Sequence, residues 1–275
     1  MNPLYISVVT PTLNRAKLLE KNLKSILDQE YPYIEHIVVD GISKDGTVEL
    51  LMAYELKYAA KGCKLRWISE KDKNHTSAVN KGFKLATGDY VGFMYSDEYW
   101  ASGAIRKLVE EIQKDPPLDI LYGDVFQYYE DSKEIKRLLF RQYSLKDLIY
   151  SGEQIPLAGA VVRRAFFDKV GYLKENLEFV AEHDFLVRCI EYGAKSYYVH
   201  FPIAYIFEHS MRKVLLDIPA SWKETKKVNF AHGAHYLTPF YMNYVANMYL
   251  RPVFDVMKSR APGLYNALKK VKDSL

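Results

Sequence analysis

Apolar runs alternate with helical spacings along the first part of the chain. The runs are rich in β-branched residues and predict buried strands, while Leu19, Leu23 and Ile26 recur at the spacing of a helix packed on one face. Asn14 and Thr76 are predicted to cap the first and third helices. The predicted strands are Leu4–Thr10, Ile37–Val39, Leu65–Ile68 and Tyr90–Tyr95. Strands that alternate with helices of this length predict βαβ units and a mostly parallel sheet.

The pattern changes after about residue 115, where Pro116 and Pro117 end the regular alternation. The aromatic segment 120–129 predicts a strand that is edge-like in its second half, and Pro202 is expected to interrupt a later strand. Further extended segments are predicted at 158–163 and 197–207, and helices near 145–150, at 182–192 and from about 222 onward. We therefore predict a body of residues 1–215, divided near residue 115, followed by a helical extension over residues 216–275.

Four polar clusters follow the four predicted parallel strands. Ligands of such sheets bind outside the carboxyl ends of the strands, so these clusters face one site. The clusters are Thr10–Arg15, Asp40, Ser69–Asp72 and Ser96–Glu98. Any single acidic loop is most often solvated, but acidic residues at three of four neighbouring strand ends predict a pocket.

Composition narrows the class of protein. The chain has 275 residues, 49% of them apolar and 26% charged, which is typical of a globular protein. Cys63 and Cys189 are the only cysteines, so no disulfide framework is expected and a reducing compartment is favoured. The first residues lack a signal-peptide pattern, and no apolar run approaches the roughly 18 residues of a membrane span. We expect a cytoplasmic protein.

Motif absences exclude several enzyme classes. No two glycines are two residues apart, so the dinucleotide fingerprint is missing, and Thr47 follows the Gly41–Gly46 spacing where a phosphate loop requires lysine. No nucleophile elbow and no zinc-protease motif occurs. Dehydrogenase, phosphate-loop and hydrolase functions are therefore disfavoured.

The carboxylates that remain suit a nucleotide and a metal ion. Asp40 is placed to accept a hydrogen bond from a pyrimidine N–H or a ribose hydroxyl, and Asp97 and Glu98 are hard oxygen ligands for Mg²⁺ or Mn²⁺, which would neutralise a diphosphate. Glu182 and Asp184 begin a predicted helix. Either serves as a general base in one interpretation, and caps the helix or pairs with an arginine in the other.

The motifs together resemble the family 2 glycosyltransferases of the GT-A fold. The resemblance covers about residues 5–210 and is carried by Ser7–Arg15, Ile37–Thr47, Ser69–Lys73, Asn80–Gly82, Ala86–Phe93, Tyr122–Asp124, Arg163–Arg164, Lys169–Gly171 and Glu182–Arg188. It implies an α/β GT-A-type fold, with a mostly parallel sheet flanked by helices and a helical C-terminal extension. The catalytic domain would be 1–215, with a nucleotide-binding half at about 1–115 and an acceptor half at about 116–215.

The resemblance also implies an activity. Family 2 enzymes move a sugar from a nucleotide-activated donor to an acceptor hydroxyl, usually with inversion. We expect a role in cell-surface polysaccharide or glycolipid biosynthesis, with a saccharide or lipid-linked acceptor. Two alternatives stay open: a nucleotidyltransferase of similar fold, disfavoured because Thr12–Lys17 contains no glycine, and a non-catalytic nucleotide- or carbohydrate-binding subunit.

Site residues follow from the same resemblance. The implied nucleotide-binding residues are Thr10, Pro11, Thr12, Asn14, Arg15, Asp40, Asp72, Lys81 and Ser96. The implied ligands of Mn²⁺ or Mg²⁺ are Asp97 and Glu98. His209 is a third metal ligand or closes over the diphosphate in one interpretation, and is a structural histidine, the more common case, in the other. Tyr95 replaces the first aspartate of the family's metal motif, so the metal would rest mainly on Asp97. Glu182 lies six residues before Arg188, the usual position of the base, and His183 and Asp184 remain alternatives.

The charge distribution bears on partners. The formal excess of +4 lies entirely in residues 251–275, so the remaining body is neutral and binding to nucleic acid is not expected. Residues 241–250 are aromatic and apolar, and Leu264, Leu268 and Val271 share one face of a basic helix. One hypothesis is peripheral contact of this tail with the anionic inner face of the cell membrane. The equal alternative is packing on the catalytic domain or on a second subunit of a homo-oligomer.

Overall fold

The computed structural model describes residues 3–114, 117–129, 132–208, 217–250 and 258. Its strands are β1 (Ile6–Thr12), β2 (Ile34–Asp40), β3 (Lys64–Ser69), β4 (Tyr90–Phe93), β5 (Tyr99–Trp100), β6 (Ile120–Tyr129), β7 (Ile135–Leu138), β8 (Ala160–Arg163) and β9 (Ser196–Glu208). Its α-helices are α1 (Ala16–Leu27), α2 (Thr47–Ala60), α3 (His75–Leu85), α4 (Ala104–Lys114), α5 (Ala165–Val170), α6 (Ala181–Glu191), α7 (Ile218–Ala231) and α8 (Pro239–Val245). Shorter helical turns cover Asp147–Ser151, Leu157–Gly159 and Ala246–Leu250.

The strands of the described residues form one mixed sheet in the order β3-β2-β1-β4-β8-β6-β9-β5, with β7 paired to β6. The pairs β1–β2, β1–β4 and β2–β3 are parallel, and so is β6–β9. β8 runs antiparallel to both β4 and β6. The predicted α/β fold with a largely parallel first half and flanking helices is confirmed. Every crossover of that first half carries a helix, as parallel connections require.

Alternate residues of the parallel strands face two apolar cores. Val9 and Ile37 pack with α3 and α6 on one side of the sheet, whereas Val8 and Val38 pack with α1 and α2 on the other. Strands buried on both faces are continuous apolar runs, which is why the sequence shows no polar alternation there. The two helical layers leave only the sheet edges open, and the loops at the carboxyl edge carry the polar clusters.

The second half differs from its prediction in two places. β6 is not edge-like, since residues 125–128 pair with β7 on one side and with β9 on the other. Pro202 does not end β9, because the β6–β9 pairing shifts register between Gly123 and Val125 and absorbs the proline. A proline lacks the N–H that a ladder requires, and a bulge is the usual way to accommodate it.

Two predicted helix caps are wrong. Arg15 is the N-cap of α1, and Asn14 instead accepts from the backbone N–H of Lys44 while its own N–H donates to Ser43. Helix α3 is capped by Asn74, whose side chain accepts from the N–H of Ser77 in a reciprocal capping box. At α3 the neighbouring Asn74 meets the capping need, whereas Arg15 makes no side-chain cap bond at α1 and the first helical N–H, that of Ala16, donates to Asp45.

The described part of the C-terminal extension packs against the segment that leads into α6. The carboxylate of Glu224 on α7 accepts from the backbone N–H groups of Glu178, Phe179 and Val180, at distances of 2.6–3.1 Å. His183 is buried and its Nε2 lies 2.9 Å from Asn229 Oδ1. The extension therefore braces the start of α6. Among the described residues, no helix has the length and apolarity needed to cross a bilayer.

A glycine sets the distance between α3 and the sheet. A Cβ at Gly82 would overlap Val9 Cγ1 on β1 and lie 3.4 Å from Val39 Cγ2 on β2. We expect Gly82→Ala to lower the free energy of unfolding by about 1–3 kcal/mol, because the packed core cannot yield space for the methyl group. Urea unfolding measures the change. Lys84→Ala on the exposed face of the same helix should change the value by less than about 0.5 kcal/mol; equal losses would contradict this packing.

Candidate active site

A cleft of about 730 Å³ lies at the carboxyl edge of the parallel strands. Its walls come from both halves of the body. The part of the chain before residue 115 supplies Pro11, Thr12, Leu13, Arg15, Gly41, Lys71, Asp72, Lys73, Asn74, His75, Ala78, Tyr95, Ser96, Asp97 and Glu98, and the part after it supplies Glu178, Phe179, Glu182 and Phe207. The strand-end loops therefore converge on one space, as the placement of the polar clusters predicted.

One end of the cleft is a narrow slot between Leu13, Gly41 and Asp72. A Cβ built on Gly41 would lie 3.3 Å from Leu13 Cδ1 and 3.7 Å from Asp72 Oδ2, so the missing side chain keeps this space open. Lys81 Nζ holds Asp72 Oδ1 at 2.8 Å and Glu70 at 2.6 Å. These hydrogen bonds, with that to Asp72 the strongest, raise the pKa of Lys81. This end of the cleft therefore carries a carboxylate held by a lysine.

Four predicted nucleotide-binding residues are not part of the cleft wall: Thr10, Asn14, Asp40 and Lys81, the last of which holds Asp72 as described above. Thr10 is fully buried, and its hydroxyl lies 3.0 Å from His36 Nε2. Asp40 is also fully buried, where its carboxylate accepts from the backbone and hydroxyl of Ser43 and from the Ser69 hydroxyl. Asn14 joins the loops after β1 and β2 through the bonds described above. Thr10 and Asp40 shape the loops from inside the protein, where they have hydrogen-bond partners, and Asn14 does so at the surface.

The loop after β4 is held rigidly. Asn22 Nδ2 donates to the carbonyls of Tyr95 and Glu98, both at 3.0 Å, and Glu98 Oε2 accepts from the Tyr95 N–H at 2.9 Å. Ser96 lies in the cleft wall. Arg15 NH1 lies 2.5 Å from Asp97 Oδ2 at the cleft surface. The loop after β4 thus presents the Asp97 carboxylate beside the guanidinium of Arg15 from the start of α1, a pair suited to a phosphate group and its counter-ion.

The oxygens of Asp97 and Glu98 have the hard donor chemistry of Mg²⁺ and Mn²⁺ ligands. Both residues line the cleft, so they fit a metal bound together with a ligand that brings its own oxygens. Within the ranges that the structure describes, no group of three or more histidine, cysteine, aspartate or glutamate side chains could hold a metal by itself. His209, the third predicted ligand, lies outside the described residues.

Of the three candidates for the base, Glu182 alone lines the cleft. It stands in the first turn of α6, and its Oε1 accepts a hydrogen bond of 2.6 Å from the Tyr95 hydroxyl. Burial, followed by the negative charge of Glu182, raises the pKa of Tyr95 well above its ordinary value. Tyr95 therefore stays protonated and donates a hydrogen bond across the cleft to Glu182.

Asp184 faces away from the cleft into a buried ion network. Its carboxylate lies 2.7 Å from Lys174 Nζ, 2.8 Å from Arg188 Nε and 3.3 Å from His232 Nε2. Burial acts to raise the pKa of Asp184, but hydrogen bonds from His232, Lys174 and Arg188 outweigh it and hold the pKa below its usual range. Burial has the opposite effect on a histidine and lowers the pKa of His183. The structure gives Asp184 and His183 the setting of residues that anchor α6.

Several cleft residues were not singled out from the sequence. Lys71 and Lys73 flank Asp72 at the third strand end, and Asn74 and His75 stand at the start of α3. Their position next to a predicted polar cluster is the sequence signal that marks them. Glu178, Phe179 and Phe207 come from a loop and a strand that only the folded topology brings to the cleft. No local pattern in the sequence marks these three.

Comparison with known proteins gives one consistent result. The family model of glycosyl transferase family 2 matches residues 7–177. A PGL/p-HBAD biosynthesis glycosyltransferase of Mycobacterium bovis is 27% identical over 205 residues, which cover 72% of this chain and 75% of that protein. A putative teichuronic acid biosynthesis glycosyltransferase of Bacillus subtilis is 36% identical over 107 residues, covering 38% of this chain and 40% of that one.

Solved structures share the fold at low sequence identity. Residues 1–349 of Staphylococcus aureus TarS, in complex with UDP-GlcNAc, match with a TM-score of 0.67 and 17% identity, over 89% of this chain and 73% of that one. The chain spans 39% of the longer S. aureus TarS structure. A mannosyltransferase of Pyrobaculum calidifontis, in complex with GDP-Man and Mn²⁺, matches with a TM-score of 0.64 and 16% identity, over 100% of this chain and 81% of that one.

The ion network behind α6 predicts a pH-dependent stability. The hydrogen bond with Asp184 raises the pKa of His232, burial opposes this, and nearby Glu191 adds to it. Protonated His232 therefore stabilises the fold fully below its unfolded pKa of about 6.5, and the contribution is lost as pH rises through the higher folded value. In urea unfolding, His232→Gln should cost about 1–2 kcal/mol at pH 6 and less at pH 9. A pH-independent cost for His232→Gln would contradict the account.

Proposed function

This chain belongs to glycosyl transferase family 2 and is a glycosyltransferase of glycan biosynthesis, and within that class we propose that it moves a sugar from a nucleotide-sugar donor to an acceptor hydroxyl with inversion. The observation that carries the proposal is the arrangement of one cleft, with the Arg15–Asp97 pair on its nucleotide side and the Glu182 carboxylate on its acceptor side. A donor that lies between them presents its leaving diphosphate to one wall and its anomeric carbon to the other.

The donor's base is proposed to occupy the slot beside Gly41. Asp72 there offers a carboxylate oxygen to a base N–H, and Asp40 and Asn14 keep the surrounding loops in place. Structural relatives were solved with UDP-GlcNAc and with GDP-Man. A uridine diphosphate sugar is the first donor class to test, because the small slot and its single carboxylate suit a pyrimidine ring.

The diphosphate is proposed to lie near the cationic side chains of the cleft. Arg15, Lys71 and Lys73 belong to its wall, and the N-terminus of α3 opens onto it. These groups stabilise the negative charge that grows on the leaving group, and water exclusion in the cleft strengthens the effect. A guanidinium gives two parallel donors to phosphate oxygens, so Arg15 is expected to exchange part of its contact with Asp97 for the donor.

Divalent metal ions are common in this family, and a structural relative was solved with Mn²⁺. We propose that Asp97 is the main protein ligand of Mn²⁺ or Mg²⁺, with Glu98 and His209 assisting. A bound ion would supply further positive charge at the diphosphate. Because residue 95 is a tyrosine and not a carboxylate, the loop offers fewer anionic ligands, and a modest affinity for the metal is expected in the absence of donor.

Glu182 is proposed to be the general base. The acceptor oxygen forms a bond to C1 of the donor sugar, the bond from C1 to the diphosphate oxygen breaks with its electron pair, and the hydroxyl proton passes to the Glu182 carboxylate. Attack from the side opposite to the leaving group inverts the anomeric carbon. A carboxylate placed within reach of the attacking hydroxyl typically contributes 10²–10⁴-fold to the rate.

The acceptor is proposed to be a saccharide or a lipid-linked saccharide. Phe179 and Phe207 contribute aromatic surface to the acceptor side of the cleft, and aromatic rings suit the apolar faces of sugars. The relatives in PGL/p-HBAD and teichuronic acid biosynthesis support a cell-surface product. Peripheral contact with the inner face of the cell membrane, homo-oligomer contact and the division of the chain at residue 215 remain proposals. Leu264, Leu268 and Val271, on which the first depends, lie outside the described residues.

We predict that Glu182→Gln lowers the turnover number at least about 100-fold while the dissociation constant for UDP changes less than about twofold, because the amide keeps the hydrogen bond with Tyr95 but accepts no proton. Transfer assays and calorimetry measure the two quantities. Asp184→Asn is the matched comparison: it should lower the unfolding temperature, since it removes a buried charge from three cationic partners. Full activity of Glu182→Gln would contradict the assignment of the base.

A panel of nucleotide sugars with Mn²⁺ tests the activity itself. We expect at least one donor of the panel to release its nucleoside diphosphate faster when the protein is present, with the sugar appearing on an added acceptor or on water. Release of pyrophosphate from a nucleoside triphosphate and a sugar phosphate would instead indicate a nucleotidyltransferase. Binding of a nucleotide without any release would indicate a non-catalytic subunit.

A further inference from the structure

The side chain at position 95 connects the donor loop to the base. Tyr95 follows β4 and stands two residues before Asp97, and its hydroxyl donates to Glu182 Oε1 on α6, 87 residues further along the chain. We propose that Tyr95 is a positioning residue for Glu182: its hydroxyl fixes one carboxylate oxygen and leaves the other, Oε2, to receive the proton of the acceptor. The inference rests on the proposed function and goes beyond it, because it assigns a task to the residue that departs from the family's metal motif.

The Tyr95 hydroxyl is itself held in place. The ring packs edge-on against Phe93, with centroids 4.8 Å apart, and lies 6.3 Å from the His75 ring. The backbone of Tyr95 is fixed by its N–H bond to Glu98 and by its carbonyl bond from Asn22. A tyrosine has only two side-chain torsions, so a fixed backbone and a packed ring determine where the hydroxyl lies. A carboxylate bound to such a donor loses its own rotational freedom.

The chemistry of the phenol suits this task better than a carboxylate would. Asp97 and Glu98 already place negative charge in the same loop, and an aspartate at position 95 would repel Glu182 and disfavour its charged form. A neutral hydroxyl has the opposite effect, because a hydrogen bond donated to a carboxylate favours the ionised state that a base requires.

Among the described residues, Tyr95 is the hydrogen-bond donor that the structure shows on Glu182. Asp97, proposed to lie at the diphosphate, belongs to the same loop as Tyr95. The Tyr95–Glu182 hydrogen bond therefore also fixes the position of the base relative to Asp97. The distance between the leaving group and the base is therefore set by residues 95–97 and by the hydrogen bond from Tyr95 to Glu182. Loss of the hydroxyl should loosen that distance without removing any proposed contact with the donor.

Tyr95→Phe tests the inference, because it keeps the ring and removes only the hydroxyl. We expect the turnover number to fall about tenfold or more, the KM for the donor to stay within about twofold, and the acidic limb of the pH–rate profile to move up by about one pH unit. The matched control is Tyr54→Phe on α2, whose hydroxyl lies 3.5 Å from Glu20 Oε1, away from the cleft. This control should leave the rate and its pH profile unchanged.

A second measurement does not depend on turnover. Carbon-13 labelling of glutamate carboxyl groups, with Glu182→Gln to assign the resonance, follows the protonation of Glu182 directly by NMR. We expect the titration midpoint of Glu182 to be higher in Tyr95→Phe than in the unmodified chain. A fluorinated tyrosine at position 95, whose phenol is a stronger donor on a nearly unchanged ring, should shift the midpoint in the opposite direction.

The outcomes separate the two levels of the account. An active unmodified chain whose Tyr95→Phe variant keeps the same rate, pH profile and Glu182 titration overturns the positioning role and leaves the glycosyltransferase proposal standing. An unmodified chain that transfers sugar from no donor overturns the proposed function and, with it, the role of Tyr95. A lower rate accompanied by a raised KM but an unmoved pH profile also counts against the inference, because a general disturbance of the cleft would produce that result.

Discussion

The parallel register of β3, β2, β1 and β4 is the constraint on which the site depends. Because these strands point the same way, their carboxyl ends lie at one edge of the sheet. The loops that carry Arg15, Gly41, Asp72 and Asp97 therefore all lie at that edge. The opposite wall is attached through β8, which pairs with both β4 and β6 and so joins the two halves in a single sheet. Convergence of distant segments is therefore a property of the topology, and the side chains supply the chemistry.

Buried polar contacts hold the loops in place before any ligand arrives. Asp40 closes its own loop through Ser43 and Ser69, and Asn22 clamps both ends of the Tyr95–Glu98 turn. On the acceptor side, Glu224 satisfies three successive backbone N–H groups ahead of α6. Groups fixed in this way need little rearrangement when charge develops in the reaction. A preorganised polar cleft therefore stabilises the transition state better than water, which must reorient. Residues that do not touch the ligand thus contribute to its binding site.

The sequence predicted the alternating strands and helices of the first half and the pocket at the strand ends, because those features depend on local periodicity and fixed spacing. It did not distinguish residues in the cleft wall from residues behind it. Thr10 and Asp40 stand at strand ends with the right polarity, yet the alternation of a strand and the course of a tight loop turn their side chains inward. Tyr95 depends on a partner 87 residues away, and Phe179 and Phe207 reach the cleft only through the folded topology, which no local pattern encodes. Arg15 replaced Asn14 as the helix cap for a similar reason, since Ser43 and Lys44 from another loop engage the asparagine.

The central claim is that the walls of this cleft, which come from both halves of the chain, enclose one nucleoside diphosphate. A crystal structure of the protein soaked with UDP and Mn²⁺ tests it most directly. The account predicts the uracil ring in the slot beside Gly41 and Asp72, the diphosphate beside Arg15 and Asp97, and the Glu182 carboxylate facing it from across the cleft. Density for UDP elsewhere on the protein, or a Glu182 side chain directed away from the bound diphosphate, would contradict it.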